Sequence, residues 1–302
     1  MLTLVICTYN RDKYLYNCLK SIAENDFPFA KYEIILINNN STDNTENECT
    51  RFQNDFPQVN FSYFVEKNQG LSFARNRGID EAKGDVLVFL DDDAFVGNDY
   101  LKNLYENLNE YPNCSAFGGK ITPVFESVET PKWLSKWTYS WVSAIDLGKN
   151  IQEFNGGKYP IGANMGIKAD ILHKTGNFNT KLGRSKKNLM AGEEKDIFNR
   201  IKNAGGRIYY FPDIAVQHVI PQQRTTNGYI AKMGLGVGMS EKLRTLDISK
   251  SAYIKRLFSE KIKWCASIVL FFGFLMKFQC QKGAKLLLFR WNVTRGLLSK
   301  NL

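Results

Sequence analysis

Residues 2–7 form a short, continuous apolar run, Leu2-Thr-Leu-Val-Ile-Cys7, and similar runs return at 32–37, 61–65 and 85–90. Runs of this length, apolar on both faces, are the pattern of parallel strands buried on each side. Between the first two lies a helical stripe, with Tyr14, Cys18, Leu19 and Ile22 on one face. The polar segment 38–43 can cap the next helix, and a further helix over 71–83 is closed by Gly84. The order β-α-β-α-β-α-β predicts a doubly wound, mostly parallel α/β sheet. Ligands of such sheets bind at the carboxyl ends of the strands. That edge would carry residues 8–11, 38–40 and 91–93. Beyond residue 120 the pattern changes: 123–160 is rich in Trp, Tyr, Pro and Ser, without a clear period. Trp133, Trp137 and Trp141 are four apart, which predicts a short helix with an aromatic stripe. Such a stripe serves either as core or as a platform for a sugar ring or an apolar acceptor. A helix is expected over 193–204, with Ile197 and Ile201 inward and Gly205-Gly206 ending it. Strands follow at 208–211 and 215–220. The divisions expected are 1–120, 121–245 and a C-terminal helical extension over 246–302.

The chain has 302 residues, 44% apolar and 23% charged. Collagen-like, disordered and disulfide-scaffold classes are excluded by that balance. The net charge of +10 is uneven. Residues 1–250 hold 30 basic and 29 acidic residues, whereas 251–302 hold 10 basic residues and one acid, Glu260. A cationic tail on a neutral body suggests an anionic surface as partner. No nucleic-acid reading module accompanies the charge, so nucleic acid is not expected. Basic residues flank the apolar stretch 265–276, which suits an in-plane interfacial helix on anionic lipid. The same segment equally suits a helical pair packing on the body, or a dimer contact. At 12 residues the stretch falls short of the roughly 20 that span a bilayer. The first apolar run reads as a strand rather than a secretory leader. Six scattered cysteines, none in a CxxC pair, favour a reducing compartment. A cytoplasmic protein, peripheral on the inner face of a membrane, is therefore expected.

Asp91-Asp-Asp93, at the end of a buried strand, is the sharpest chemical signal. Adjacent carboxylates repel, and a cation is the natural compensation. Oxygen ligands suit Mg²⁺ or Mn²⁺ rather than zinc. No P-loop or GxGxxG follows the first strand, which weighs against NTPases and dehydrogenases.

The landmarks Thr8-Tyr-Asn-Arg11, 38–43, Asn68-Gln-Gly70, Ala74-Arg-Asn-Arg-Gly78, Leu90-Asp-Asp-Asp93, Gly162-Ala-Asn-Met165, Gly192-Glu-Glu-Lys-Asp196 and Val216-Gln-His218 stand in one order along residues 1–240. In this the chain resembles family 2 glycosyltransferases of the GT-A (nucleotide-diphospho-sugar transferase) fold. The resemblance implies a nucleotide-sugar site made by Thr8, Tyr9, Arg11, Asn38, Asn39, Arg75, Asp91 and Asp92. Asn38 and Asn39 depart from the family's usual Asp. It also implies a divalent Mg or Mn ion at Asp93 and Asp91, with His218 as a further metal or diphosphate contact. The general base would be Glu194, where the family usually has Asp, with Glu193 as the second candidate. Both acids also suit a helix N-terminus without any catalytic role. Asp196, four residues before Arg200, reads as a structural pair. The acceptor side would use Trp133, Trp137, Asn164 and Met165, and Gly162 would permit close backbone approach. The implied function is inverting, metal-dependent transfer of a sugar, most commonly from a UDP-sugar, to a glycan or lipid-linked acceptor in surface polysaccharide assembly. A binder of sugar nucleotides or glycans, weak in catalysis, is the alternative kept open by the Asn and Glu departures.

Overall fold

The computed structural model describes residues 1–127, 129–184 and 189–299. The chain divides into two compact units. One comprises 1–124, 143–180 and 194–219; the other comprises 125–142, 181–193 and 220–302.

The first unit is built from β1 (Leu2–Thr8), α1 (Asp12–Ala23), β2 (Tyr32–Asn38), α2 (Thr45–Asp55), β3 (Phe61–Val65), α3 (Leu71–Glu81), β4 (Val86–Asp91), β5 (Ala94–Val96), α4 (Tyr100–Glu110), β6 (Cys114–Phe125), β7 (Gln152–Glu153), β8 (Asn164–Lys168), α5 (Ala169–Thr175), α6 (Glu193–Asn203) and β9 (Arg207–Ile220). The strands form one mixed sheet in the order β3-β2-β1-β4-β8-β6-β9-β5, with β7 on β9. The four strands expected from the apolar runs pair in parallel, β3 with β2, β2 with β1, and β1 with β4, but β3 is half-buried at the sheet edge rather than buried on both faces. From β8 onward the observed pairings are antiparallel. The two expected strands at 208–211 and 215–220 are one, since β9 runs on through Pro212 and Asp213.

All seven residues of β2 are buried. Side chains alternate across a strand, so β1 feeds two cores. Leu4 and Ile6 join Leu15, Cys18, Leu19 and Ile22 of α1 on one face. Val5 joins Ile35, Ile37, Phe89 and the inward stripe of α6, Ile197, Phe198 and Ile201, on the other. A strand covered on both faces has no polar side to show, which is why these segments carry no alternation.

The second unit is mostly helical: α7 (Asn227–Ile248), α8 (Lys250–Leu275) and α9 (Cys280–Leu298). Helices α7 and α9 approach through small residues. A Cβ on Gly238 would lie 2.1 Å from the Val293 carbonyl oxygen, and one on Gly296 would lie 2.2 Å from that of Leu235. The acid of the tail is internal. Glu260 accepts from Arg256 at 2.8 Å and Arg290 at 3.1 Å, and Arg256 also reaches Glu241 at 2.8 Å. The aromatic stripe is not an α-helix. Residues 131–142 form turns and one short 3₁₀ segment, Tyr139–Val142. Trp133 and Trp141 turn inward, Trp141 stacking on Phe289 at 4.4 Å between ring centroids, while Trp137 stays exposed. Pro131 and the polar Ser135 and Thr138, which bond to each other's backbone and side chains, favour turns over a helix here.

Candidate active site

Parallel pairing sets Cys7 beside Asp91 and Thr8 beside Asn38. The turns after β1, β2 and β4 therefore meet at one sheet edge, as the strand pattern predicts. Thr8 Oγ1 donates to Asp92 at 2.7 Å. Arg11 bridges the triplet, bonding Asp92 at 2.9 Å and Asp93 through its other terminal nitrogen. Asp92 and Asp93 are buried, and Asp91 is partly exposed. Burial pushes the Asp92 carboxyl up to about 6, against the lowering effects of Arg11 and the Thr8 hydrogen bond, with Asp93 adding to the rise. Burial opposes the Arg11 cation, yet Asp92, Asp93 and Asp91 outweigh it and raise its pKa above the ordinary value. The acid cluster thus carries its own internal cation.

His218 arrives from the far end of the sheet. Strand β9 pairs with β5 so that His218 faces Ala94, and Val219 N–H donates to the Asp93 carbonyl at 2.9 Å. The imidazole is fully buried, with Nε2 3.1 Å from Asp93 Oδ1 and 3.8 Å from Asp91. Neither ring nitrogen makes a hydrogen bond. One ligand atom each from Asp91, Asp93 and His218 lie within 4.8 Å of one another. A buried imidazole without hydrogen bonds, facing two carboxylates, is suited to a divalent cation held by oxygen and nitrogen donors. The residues present fit Mg²⁺ or Mn²⁺.

A second cluster adjoins the first. Strands β4 and β8 pair antiparallel with Leu90 opposite Asn164, so the chain entering β8 at Gly162 runs alongside the triplet. Gly162 N–H donates to Glu194 Oε1 at 2.8 Å, and Arg75 lies 3.4 Å from the same oxygen. A Cβ on Gly162 would lie 2.0 Å from Arg75 Nη2 and 2.2 Å from Glu194 Oε1. The glycine thus gives the close approach expected of it, toward this pair. Arg75 is buried, with its guanidinium 5.3 Å from the Phe178 ring centroid. Asn76 fixes that ring's backbone by exchanging two hydrogen bonds of 2.9 Å with Phe178. Burial pushes the Cys7 thiol up to about 12, with Arg75 lowering it and Asp91 and Asp92 raising it. All these charges therefore surround the end of β1.

The remaining expected site residues are distributed more widely. Tyr9 is half-buried in the β1–α1 turn. Asn10, with a left-handed φ of 52°, accepts from Thr42 N–H at 2.7 Å and ties that turn to the β2–α2 turn. Asn38 donates to the Tyr63 hydroxyl at 2.7 Å and accepts from Ser41 N–H at 2.8 Å. Asn39 donates to the carbonyls of Glu66 and Asn68 and accepts from Gly70 N–H. Both amides hold loops together. Asn164 is fully buried, accepting from Tyr100 at 2.7 Å and donating to the Ile214 carbonyl at 2.7 Å. Met165 is core. Glu193 is buried at the start of α6, and Glu194 is about one-fifth exposed at 21%. Asp196 pairs with Arg200 at 3.0 Å, as the spacing predicts. Trp133 is buried in the second unit, donating to the Thr225 carbonyl at 3.2 Å, and Trp137 is exposed there. The Arg75–Phe178 and Asn76 contacts join residues 102 apart or more, so no local pattern shows them; the Ala74-Arg-Asn segment is their one sign in the sequence.

The model of glycosyl transferase family 2 matches residues 3–176, more than half of the chain. The chain belongs to glycosyl transferase family 2. It is 24% identical to the glucosyl-dolichyl phosphate glucuronosyltransferase of Haloferax volcanii over 268 residues, 84% of this chain and 82% of that protein. Two further curated relatives are spanned over only 16% and 41% of their own length. Among solved structures, the mannosyltransferase of Pyrobaculum calidifontis in complex with GDP-Man and Mn²⁺ superposes with a TM-score of 0.67 at 17% identity, over 99% of this chain and 88% of that one. TarS of Staphylococcus aureus in complex with UDP-GlcNAc gives 0.55 at 16% identity, over 78% and 66%. The fold is that of GT-A glycosyltransferases, and the protein is a family 2 glycosyltransferase.

Proposed function

We propose that this glycosyltransferase moves a sugar from a nucleotide-diphosphate sugar, with UDP as the first candidate nucleotide, to a hydroxyl of a glycan or lipid-linked acceptor, inverting the anomeric centre. The observation that carries the reading is the convergence of Asp91, Asp93 and His218 beside Arg11, with Glu194 hydrogen-bonded to the adjoining Gly162. Asp91, Asp93 and His218 would hold Mg²⁺ or Mn²⁺. Such an ion, when bound, offsets the charge developing on a departing diphosphate. Thr8, Tyr9, Arg11, Asn38, Asn39, Arg75 and Asp92 would surround the nucleotide. Glu194 would take the proton of the acceptor hydroxyl, Arg75 orienting its carboxylate, with Glu193 as the second candidate. Trp137 offers an exposed aromatic face to an acceptor, and Trp133, Asn164 and Met165 are the other acceptor-side candidates. A glucuronosyltransferase relative whose name carries a dolichyl phosphate supports a lipid-linked acceptor. With such an acceptor the protein would work at the cytoplasmic face of a membrane, in surface glycan assembly.

Binding without turnover is the competing reading, favoured by the engagement of Glu194 Oε1 by both Gly162 and Arg75. The deciding experiment follows product formation from UDP- and GDP-sugars with Mn²⁺. Glu194→Gln should lower kcat by about 10²- to 10⁴-fold while leaving the donor-induced rise in melting temperature intact. Asp93→Ala should abolish the Mn²⁺-dependent part of that rise. Wild-type protein that is stabilised by a donor yet releases no nucleotide would favour the binder.

A further inference from the structure

Helix α8 presents an apolar face to solvent along its whole length. Ile254, Phe258, Ile262, Val269 and Phe272 of the helix, with Met276 at its C-cap, are 57–83% exposed. At 100° per residue they fall within a sector of about 80° of the helix surface. The opposite face is the one packed inside the unit, through Arg256, Glu260 and Ser267. The turn after α8 extends the apolar surface. Phe278 is 95% exposed and holds a left-handed φ of 56°, a conformation that bulky residues rarely adopt. Continuous exposed apolar surface marks an interaction site.

Charge identifies the occupant. Lys255 and Lys261 border the stripe on its two sides, and Lys263 and Lys277 are exposed nearby. The only acid of residues 251–302, Glu260, is buried and bonded to Arg256 and Arg290. The outer surface of α8 therefore offers apolar residues and cations with no anion among them. A second copy would set like charges against each other along both borders. An anionic lipid surface matches both features, taking the apolar stripe among its acyl chains and the lysines among its headgroups. No helix among the described residues is long and apolar enough to cross a membrane, so the helix would lie in the plane of the surface.

We propose that the outer face of α8, with Phe278 at its tip, docks this protein on anionic membrane. The proposal gives a physical means for the membrane-side work proposed above, but its test uses no turnover and so fails or holds independently. The 302-residue chain is sedimented with vesicles of phosphatidylcholine alone, and of phosphatidylcholine and phosphatidylglycerol in equal parts. Binding is expected to the second and to weaken as salt rises. The triple variant Phe258→Gln, Val269→Gln, Phe272→Gln changes only exposed positions. It should lower the vesicle-bound fraction at least about tenfold with an unchanged melting temperature. Failure of the wild type to bind anionic vesicles overturns the proposal, as does equal binding by the variant. Light scattering that finds a dimer, dissociated by the triple substitution and indifferent to vesicles, assigns the face to a second copy instead.

Discussion

At the scale of single residues, Asn39 shows what a departure from a family pattern can mean. The amide donates both its hydrogens to backbone carbonyls and accepts from Gly70 N–H. That geometry requires an amide; a carboxylate would face two carbonyl oxygens with nothing to donate. Asn39→Asp should therefore destabilise the protein by about 2–3 kcal/mol, read as a lower urea midpoint. Unchanged stability with an altered preference between UDP and GDP donors would instead make Asn39 a reader of the base. The sequence announces the Asp triplet because three neighbouring carboxylates are a local signal. It announces the partners of that triplet less clearly. Arg11 lies 82 positions from Asp93, and only the fold reveals that its guanidinium spans Asp92 and Asp93.

Among elements, legibility follows burial. Strands β1, β2 and β4 and helices α1, α3 and α6 are readable because each buries a continuous run or a single stripe, whereas β3, only half-buried at the sheet edge, is readable from its aromatic residues Phe61, Tyr63 and Phe64. The antiparallel strands β6 and β8 were hidden. Cys114–Phe125 mixes glycines, Lys120 and Pro123 with its apolar residues, so neither period is visible. The helix pair α7–α9 was hidden for a different reason, since its contact is made by backbone rather than by large side chains. A Cβ at Gly238 meets the Val293 carbonyl oxygen, the Gly296 Cα and the Leu297 nitrogen, the first at 2.1 Å. Backbone on both sides leaves no rotamer to yield. Gly238→Ala should cost about 1–3 kcal/mol by overpacking, more than the roughly 1 kcal/mol it gains in helix propensity. Gly273→Ala on α8, with open space around its Cβ, should be neutral or stabilising. Thermal melts of the two variants side by side would separate packing from propensity; equal shifts would mean α7 and α9 do not pack this closely.

At the scale of the whole molecule, the charge boundary in the sequence is not a boundary in the fold. Residues 251–302 read as a cationic appendage, yet they belong to a compact unit that also takes 125–142, 181–193 and 220–250. Helix α9 covers the glycine face of α7, and Phe289 stacks on Trp141. Both hydrophobic cores of the sheet, in contrast, draw their buried residues from before residue 221. Deleting 251–302 should therefore unfold the helical unit, exposing Ile230 and Met233 of α7, and leave the sheet unit with its own transition in calorimetry. The Asp91, Asp93 and His218 cluster lies wholly within the sheet unit. Mn²⁺ should still raise the melting temperature of that surviving transition, by mass action on the folded form. A truncated protein that melts as before would show the helices to be an appendage after all. Loss of the Mn²⁺ effect would show that the cation site needs the helical unit. Because truncation is expected to damage packing as well as surface charge, reduced vesicle binding after deletion would not by itself implicate the exposed face of α8, and substitutions confined to that face are the ones that decide it.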